Sequence, residues 1–184
     1  VAPGVVRCAS PSSRFLVGPA VETGQPAADA TVRLLADTGI GGERVQDIRR
    51  EVWRKLAFNV AMSPVCTLTA SGNRAVGADP ELHRLCSDLL AEVSVVAASE
   101  GISLPVDAAP LDPAKLSPHK PSMLQDLEAG RPLETDSILR AVQWLAREAN
   151  VATPFLDMVT ALVEARARAR TGAARSVKPV DGGA

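Results

Sequence analysis

WRKLAFNVAMSP, residues Trp53 to Pro64, is apolar on nearly every side, yet it carries Lys55 and Asn59 one turn apart. Together with the residues before it, the stretch reads as a helix over DIRREVWRKLAFNVAM. Successive residues turn by about 100° on a helical wheel. Ile48, Val52, Leu56 and Val60 then share one side, and Phe58 and Met62 extend the apolar arc on its other flank. Lys55 and Asn59 point between these groups, and Ser63 continues their row. Arg49, Arg50 and Arg54 project elsewhere. The wheel therefore predicts a polar ridge laid inside a buried surface. A lysine in such a ridge has two readings. It packs its stem and keeps its amine in water, or it lines a cleft where a desolvated ammonium serves as a proton donor. Asn59 favours the cleft, because a buried amide needs partners that nothing nearby in sequence supplies. Pro64 removes one N–H from the ladder, so the helix is expected to bend or end near Ser63.

Composition sets the wider frame. The chain has 184 residues, 46% of them hydrophobic but only 3% aromatic, with no Tyr. A core of Leu, Val and Ala favours helices packed on helices. The net charge of -1 offers no bulk field for nucleic acid or an anionic membrane. No apolar run approaches a membrane span, and no signal peptide is visible. Cys8, Cys66 and Cys86 form no CxxC and read as buried thiols in a reducing, cytoplasmic setting. With only His83 and His119, the sequence offers no His/Cys cluster of metal spacing.

Residues 1–46 differ from the rest of the chain. GVVRCAS and RFLVGPA read as short strands and ERVQ as a third, with a helix in QPAADATVRLLADTGI stopped by Gly39. TGIGGE reads as that helix stop and a turn. Such strands make the edge of an α/β sheet, an exposed liability alone, and the chain begins with Val. Both features lead us to expect a longer protein. From Asp47 the pattern is helical. ADPELHRLCSDLLAEVSVVAASEG has Asp79 as N-cap, Pro80 in the first turn, Gly101 as stop, and a stripe of Leu82, Leu85, Leu89, Val93 and Val96. SMLQDLEAG suggests a short helix with Ser122 and Gln125 as a capping box. RPLETDSILRAVQWLAREAN suggests another helix, opening at Pro132 with Glu134 in its first turn, and FLDMVTALVEARARAR the last. Residues 171–184 read as a flexible tail.

Two stretches resemble a known family. DIRREVWRKLAFNVAMSP is similar to the start of the C-terminal helical domain of ketopantoate reductases (2-dehydropantoate 2-reductases). SMLQDLEAGRPLETDSI is similar to the family's second signature, and GISLP and NVATP fall where it has comparable segments. The resemblance covers roughly Asp47 to Arg170. It implies a mainly α fold of the 6-phosphogluconate dehydrogenase C-terminal-like type over 47–170, preceded in 1–46 by a remnant of a Rossmann-like α/β domain. It also implies reduction of a small 2-oxo acid, ketopantoate to pantoate in pantothenate and coenzyme A biosynthesis, with NADPH as cofactor.

Carried over by position, Lys55 falls on the lysine that protonates the ketone oxygen. Asn59, Asn73 and Ser122 fall on substrate-binding positions, and Glu134 on a glutamate associated with the bound cofactor. Ser63 stands where many relatives have a substrate-contacting Asn; the shorter side chain points to a different substrate. Three of these positions also have an ordinary structural use: Ser122 as a cap, Glu134 near a helix's positive end, Asn73 in the turn SGNRAVG. Together the resemblance makes the ridge one wall of an interdomain cleft.

Hydride transfer needs a dinucleotide site, and no GxGxxG follows a strand in this sequence. The expectation is a chain that carries acid and substrate wall but does not turn over without an N-terminal nucleotide-binding domain. A homodimer is one assembly the resemblance allows. The alternative is a non-catalytic helical association module that keeps the fold. ARARARTGAARSVK suggests a nucleic-acid contact only weakly. Arg166, Arg168 and Arg170 alternate and so share no face, which suits a solvated helix end better.

Overall fold

The computed structural model describes residues 14–39, 41–105 and 111–176. The GVVRCAS run and Cys8 lie outside them. The chain divides into two compact units, Val1–Val52 and Trp53–Ala184. The division falls inside the first long helix, a little later than the boundary expected at Gln46.

In the first unit, strand β1 (Arg14–Val17) is followed by a 3-10 turn at Glu22–Gly24, helix α1 (Gln25–Asp37) and strand β2 (Gly41–Arg44). The strands are parallel, with Arg14 opposite Gly41 and Val17 opposite Arg44. A parallel pair needs a crossover, and α1 supplies it. This βαβ unit agrees with the α/β character the sequence implied for residues 1–46. Gly39, at φ +75°, stops α1 as expected. Thr38 and Gly39 form the expected turn. Gly41 and Gly42 begin β2, which runs two residues ahead of the expected ERVQ strand. The reason is close packing: a Cβ on Gly42 would lie 3.2 Å from Leu35 of α1, so a bare position lets the helix cross near the strand. Arg44 ties β2 to α1 through Asp29, at 2.7 Å, and through the Gln25 side chain.

Helix α2 (Ile48–Thr69) starts on an Asp47 cap, whose carboxylate accepts from Arg50 N at 3.1 Å. It continues through Pro64 to Thr69, so of the bend and the end expected near Ser63 the end is not found. Proline inside a helix costs about 3 kcal/mol. Every residue from Val60 to Thr67 is buried, and each large apolar side chain so placed contributes about 1.5–3 kcal/mol. Burial therefore outweighs the lost hydrogen bond.

The other helices pack around this segment: α3 (Asn73–Ala78), α4 (Pro80–Ser99), α5 (Ser122–Glu128), α6 (Ala141–Glu148, led in by a π turn at Asp136–Arg140) and α7 (Pro154–Ser176). Leu89, Val93 and Val96 of α4, Leu139 of the π turn, Val142 of α6, and Leu156, Val159 and Val163 of α7 join Val60, Met62 and Val65 in one core. The stripe expected on α4 is found, as is its Asp79 cap, which accepts from Glu81 N and Leu82 N at 3.0 Å.

Four expectations in this unit are corrected. Asn73 opens α3 rather than sitting in a loop, because Gly72 precedes it in extended conformation and packs against the backbone of Pro118. Ser122 is the first residue of α5, not its cap. Pro121 holds the cap position, its carbonyl accepting from Leu124 N and Gln125 N at 3.1 Å. Gln125 turns instead to the Lys120 carbonyl, at 2.7 Å. The next helix does not open at Pro132. Arg131 closes the end of α5 through Asp126, by its backbone N–H at 2.8 Å and its side chain at 2.6 Å, and no helix runs from Arg131 to Glu134. Finally, α7 continues through Ser176, past the expected start of the tail; residues 177–184 lie outside the described part. The arginines of α7 are not merely solvated either. Arg166 donates to the Leu68 carbonyl at the end of α2 at 2.7 Å, and Arg170 to that of Glu128 at the end of α5. Both place a cation at the negative end of another helix.

Candidate active site

The polar ridge expected on α2 exists, but it does not begin in the interior. Along the first turns of the second unit, Trp53, Ala57, Val60 and Ala61 face inward. The large indole decides which side of α2 is buried, and Val52, expected inside, is 58% exposed. Lys55 lies opposite Trp53 and is exposed, Asn59 is half-buried, and Ser63, at 4%, is buried. The row thus descends from solvent into the core. The expected burial of the Lys55 amine is not found among the described residues.

Lys55 and Asn59 make no side-chain hydrogen bond or ion pair among the described residues. Their donors are open to a ligand. Ser63 offers less: its buried side chain presents little surface, and its carbonyl accepts from Thr67 Oγ1 at 2.7 Å.

Below Ser63 the row continues to Cys66, at heptad spacing from Asn59 and hence on the same face. Cys66 leads to Asn73, its thiol donating to Asn73 Oδ1 at 3.5 Å. The backbone N–H of Asn73 donates to the His119 carbonyl at 3.1 Å. A Cβ on Gly72 would lie 2.5 Å from the Pro118 carbonyl oxygen, so only glycine permits this approach. Ser122 follows three residues after His119, exposed at the start of α5. Asn73 is thus tied to Cys66 at the end of α2 and to the segment that leads into Ser122, while Asn59 lies two turns up α2 from Cys66. Glu134 stands apart. It is exposed in the non-helical link before the π turn, and its side chain has no hydrogen-bond partner among the described residues.

Sequence reasoning missed Cys66, Gly72 and His119 as parts of this arrangement. For Cys66 a signal existed in its spacing from Asn59. For the Gly72–Pro118 approach none did, since it joins distant segments. Both described cysteines are buried and free. Burial pushes each thiol up to about 12, with Cys66 adding to the shift of Cys86. They stay neutral near pH 7 and act as weak donors rather than nucleophiles. Among the described residues no cluster of three or more His, Cys, Asp or Glu is placed to hold a metal ion. No helix among them is long and apolar enough to cross a membrane.

Comparison with known proteins gives a consistent result. A family model described as ketopantoate reductase PanE/ApbA C terminal matches residues 47–167. A 2-dehydropantoate 2-reductase of Mesorhizobium japonicum is 35% identical over 170 residues, covering 88% of this chain and 50% of its own length. The chain spans about half the length of the curated relatives it matches. Among solved structures, the ternary structure of D-mandelate dehydrogenase with NADH and anilino(oxo)acetate superposes with a TM-score of 0.78 at 26% identity, covering 86% of this chain and 68% of that one. The 2-dehydropantoate 2-reductase from Methylococcus capsulatus gives 0.72 at 27%, covering 91% and 57%.

Proposed function

Because this chain belongs to the ketopantoate reductase family, matching its C-terminal region, we propose that it is the substrate-binding and acid-supplying part of an NADPH-dependent 2-oxo acid reductase, with ketopantoate the leading substrate. The observation that carries this reading is the pair Lys55 and Asn59. They project one turn apart from a helix anchored by its opposite face, with no internal partner among the described residues.

The chemistry asks for such groups. Addition of hydride to a 2-oxo acid leaves negative charge on the former carbonyl oxygen. The Lys55 ammonium stabilises that charge and gives up a proton to it. The amides of Asn59 and Asn73 and the hydroxyl of Ser122 donate to the substrate's oxygens, and Ser63 sets the floor of the row. A nicotinamide cofactor supplies the hydride. Among the described residues no GxGxxG turn joins a strand to a helix, so the pyrophosphate has no cradle here; Gly18 and Gly24 between β1 and α1 lack the spacing. On this reading the dinucleotide is held mainly by a further N-terminal nucleotide-binding domain, with Glu134 this chain's contribution. The chain alone is inactive, and the complete enzyme acts in the cytoplasm.

Ser63 supports a second substrate. It reaches less far than the Asn that many relatives have there, which favours a different 2-oxo acid, and a solved relative at 26% identity is a D-mandelate dehydrogenase. Steady-state oxidation of NADPH and NADH by the full-length gene product, with ketopantoate, phenylglyoxylate and small aliphatic 2-oxo acids, tests the proposal. Turnover with ketopantoate and NADPH is expected. Preference for phenylglyoxylate would favour the second substrate, and no reduction of any 2-oxo acid would reject the enzyme.

A further inference from the structure

We propose that Cys66 is a positioning residue for Asn73: its thiol holds the Asn73 carbonyl oxygen, so that the amide N–H pair is turned toward an oxygen of the bound 2-oxo acid. This rests on the reading above that Asn73 contacts substrate. An asparagine can present either end, because its oxygen and nitrogen exchange places by a rotation of the amide. Towards an anionic substrate only the nitrogen end is useful. The Cys66 thiol lies 3.5 Å from Asn73 Oδ1, an ordinary length for a sulfur donor. The rotated amide would lose the thiol's donation to its oxygen and set its N–H groups against sulfur, a poor acceptor. The Asn73 amide nitrogen has no partner among the described residues, so its donors remain for a ligand.

Two more features support the assignment. Cys66 also holds the backbone of the same turn, its carbonyl accepting from Ser71 N at 3.1 Å, while Asn73 N is fixed to His119 at 3.1 Å. With main chain and thiol both set, the rotation of the amide is the freedom left to control. Burial pushes the thiol up to about 12, so it keeps its proton throughout the neutral range.

The test uses the full-length protein with Cys66→Ser, Cys66→Ala and Cys66→Val, each alone and combined with Asn73→Ala. Ala and Val both remove the donor but change volume in opposite directions, so a packing effect does not imitate a lost donor. KM for the 2-oxo acid should rise about three- to tenfold in Ala and Val, the range one net hydrogen bond supports, and stay within about twofold in Ser. In the Asn73→Ala background the three Cys66 variants should have no further effect on KM. The proposal is overturned if Ser behaves like Ala, or if the Cys66 penalty persists in full without Asn73. If Asn73→Ala raises KM while no Cys66 variant does, the substrate reading stands and this inference fails. If Asn73→Ala leaves KM unchanged, the substrate reading of Asn73 fails and takes the inference with it.

Discussion

At the scale of single residues, the arrangement depends on a few positions with no tolerance. Gly72 is one. Any side chain there would collide with the Pro118 carbonyl, a backbone atom that cannot move aside cheaply. Gly72→Ala should therefore part the Asn73–His119 hydrogen bond and lower stability by about 1–3 kcal/mol, the cost of overpacking a close contact. Urea unfolding of the variant measures the loss, and an unchanged midpoint would show that the approach is not needed. Little of this was legible in the sequence. Ser-Gly-Asn reads as a turn because those residues favour turns locally. What fixes their conformation is a segment more than forty residues later. The exposure of Lys55 was hidden for a related reason: several faces of α2 are apolar, and only packing of Trp53 reveals which one turns inward.

At the scale of elements, legibility follows how local the signals are. Helix α4 could be read from end to end because its cap, its first-turn proline, its stripe and its glycine stop all lie within it or at its ends. The start of α5 and the link to the π turn could not, since Pro121 and the Arg131–Asp126 pair decide them. Helix ends also carry two predictions. Helix α2 ends with Ala70 at φ 55°, a left-handed conformation that its Cβ opposes. Ala70→Gly should raise stability by about 0.5–1 kcal/mol, part of the relief being offset by a more flexible unfolded chain. A lower melting temperature would count against the strain. Helix α7 opens on Glu92 of α4, whose carboxylate accepts from Phe155 N and Leu156 N at 2.9 Å each. Glu92→Ala leaves both donors without that acceptor and removes a charge from the positive helix end. Chemical denaturation should show a loss of about 1–3 kcal/mol.

The whole molecule combines a βαβ unit with a helical unit wrapped around the middle of α2, and its polar row leads from water to the core. Two neutral thiols sit in that core, which makes stability sensitive to alkali. Burial holds them near 12 in the folded chain, above the ordinary thiol value of 9.0. Above pH 9 the unfolded chain loses protons that the folded one keeps. The unfolded state then binds fewer protons, so stability falls with rising pH. The contribution is full below 9 and disappears by about 12, at roughly 1 kcal/mol per pH unit for each thiol. Urea midpoints under reducing conditions at pH 8 and pH 10 should differ less in Cys86→Ala than in the parent; an equal drop would place the sensitivity elsewhere.

The proposed function depends on the top of the row, where an ammonium and an amide stand one turn apart with no partner among the described residues. The direct measurement is kcat for 2-oxo acid reduction by the full-length protein and its Lys55→Ala variant, with unfolding curves recorded on both. Loss of a general acid should lower kcat by about 100- to 10,000-fold, while an exposed side chain removed from a helix leaves the unfolding curve nearly unchanged. Turnover within a few-fold of the parent would contradict the assignment of Lys55 as the acid.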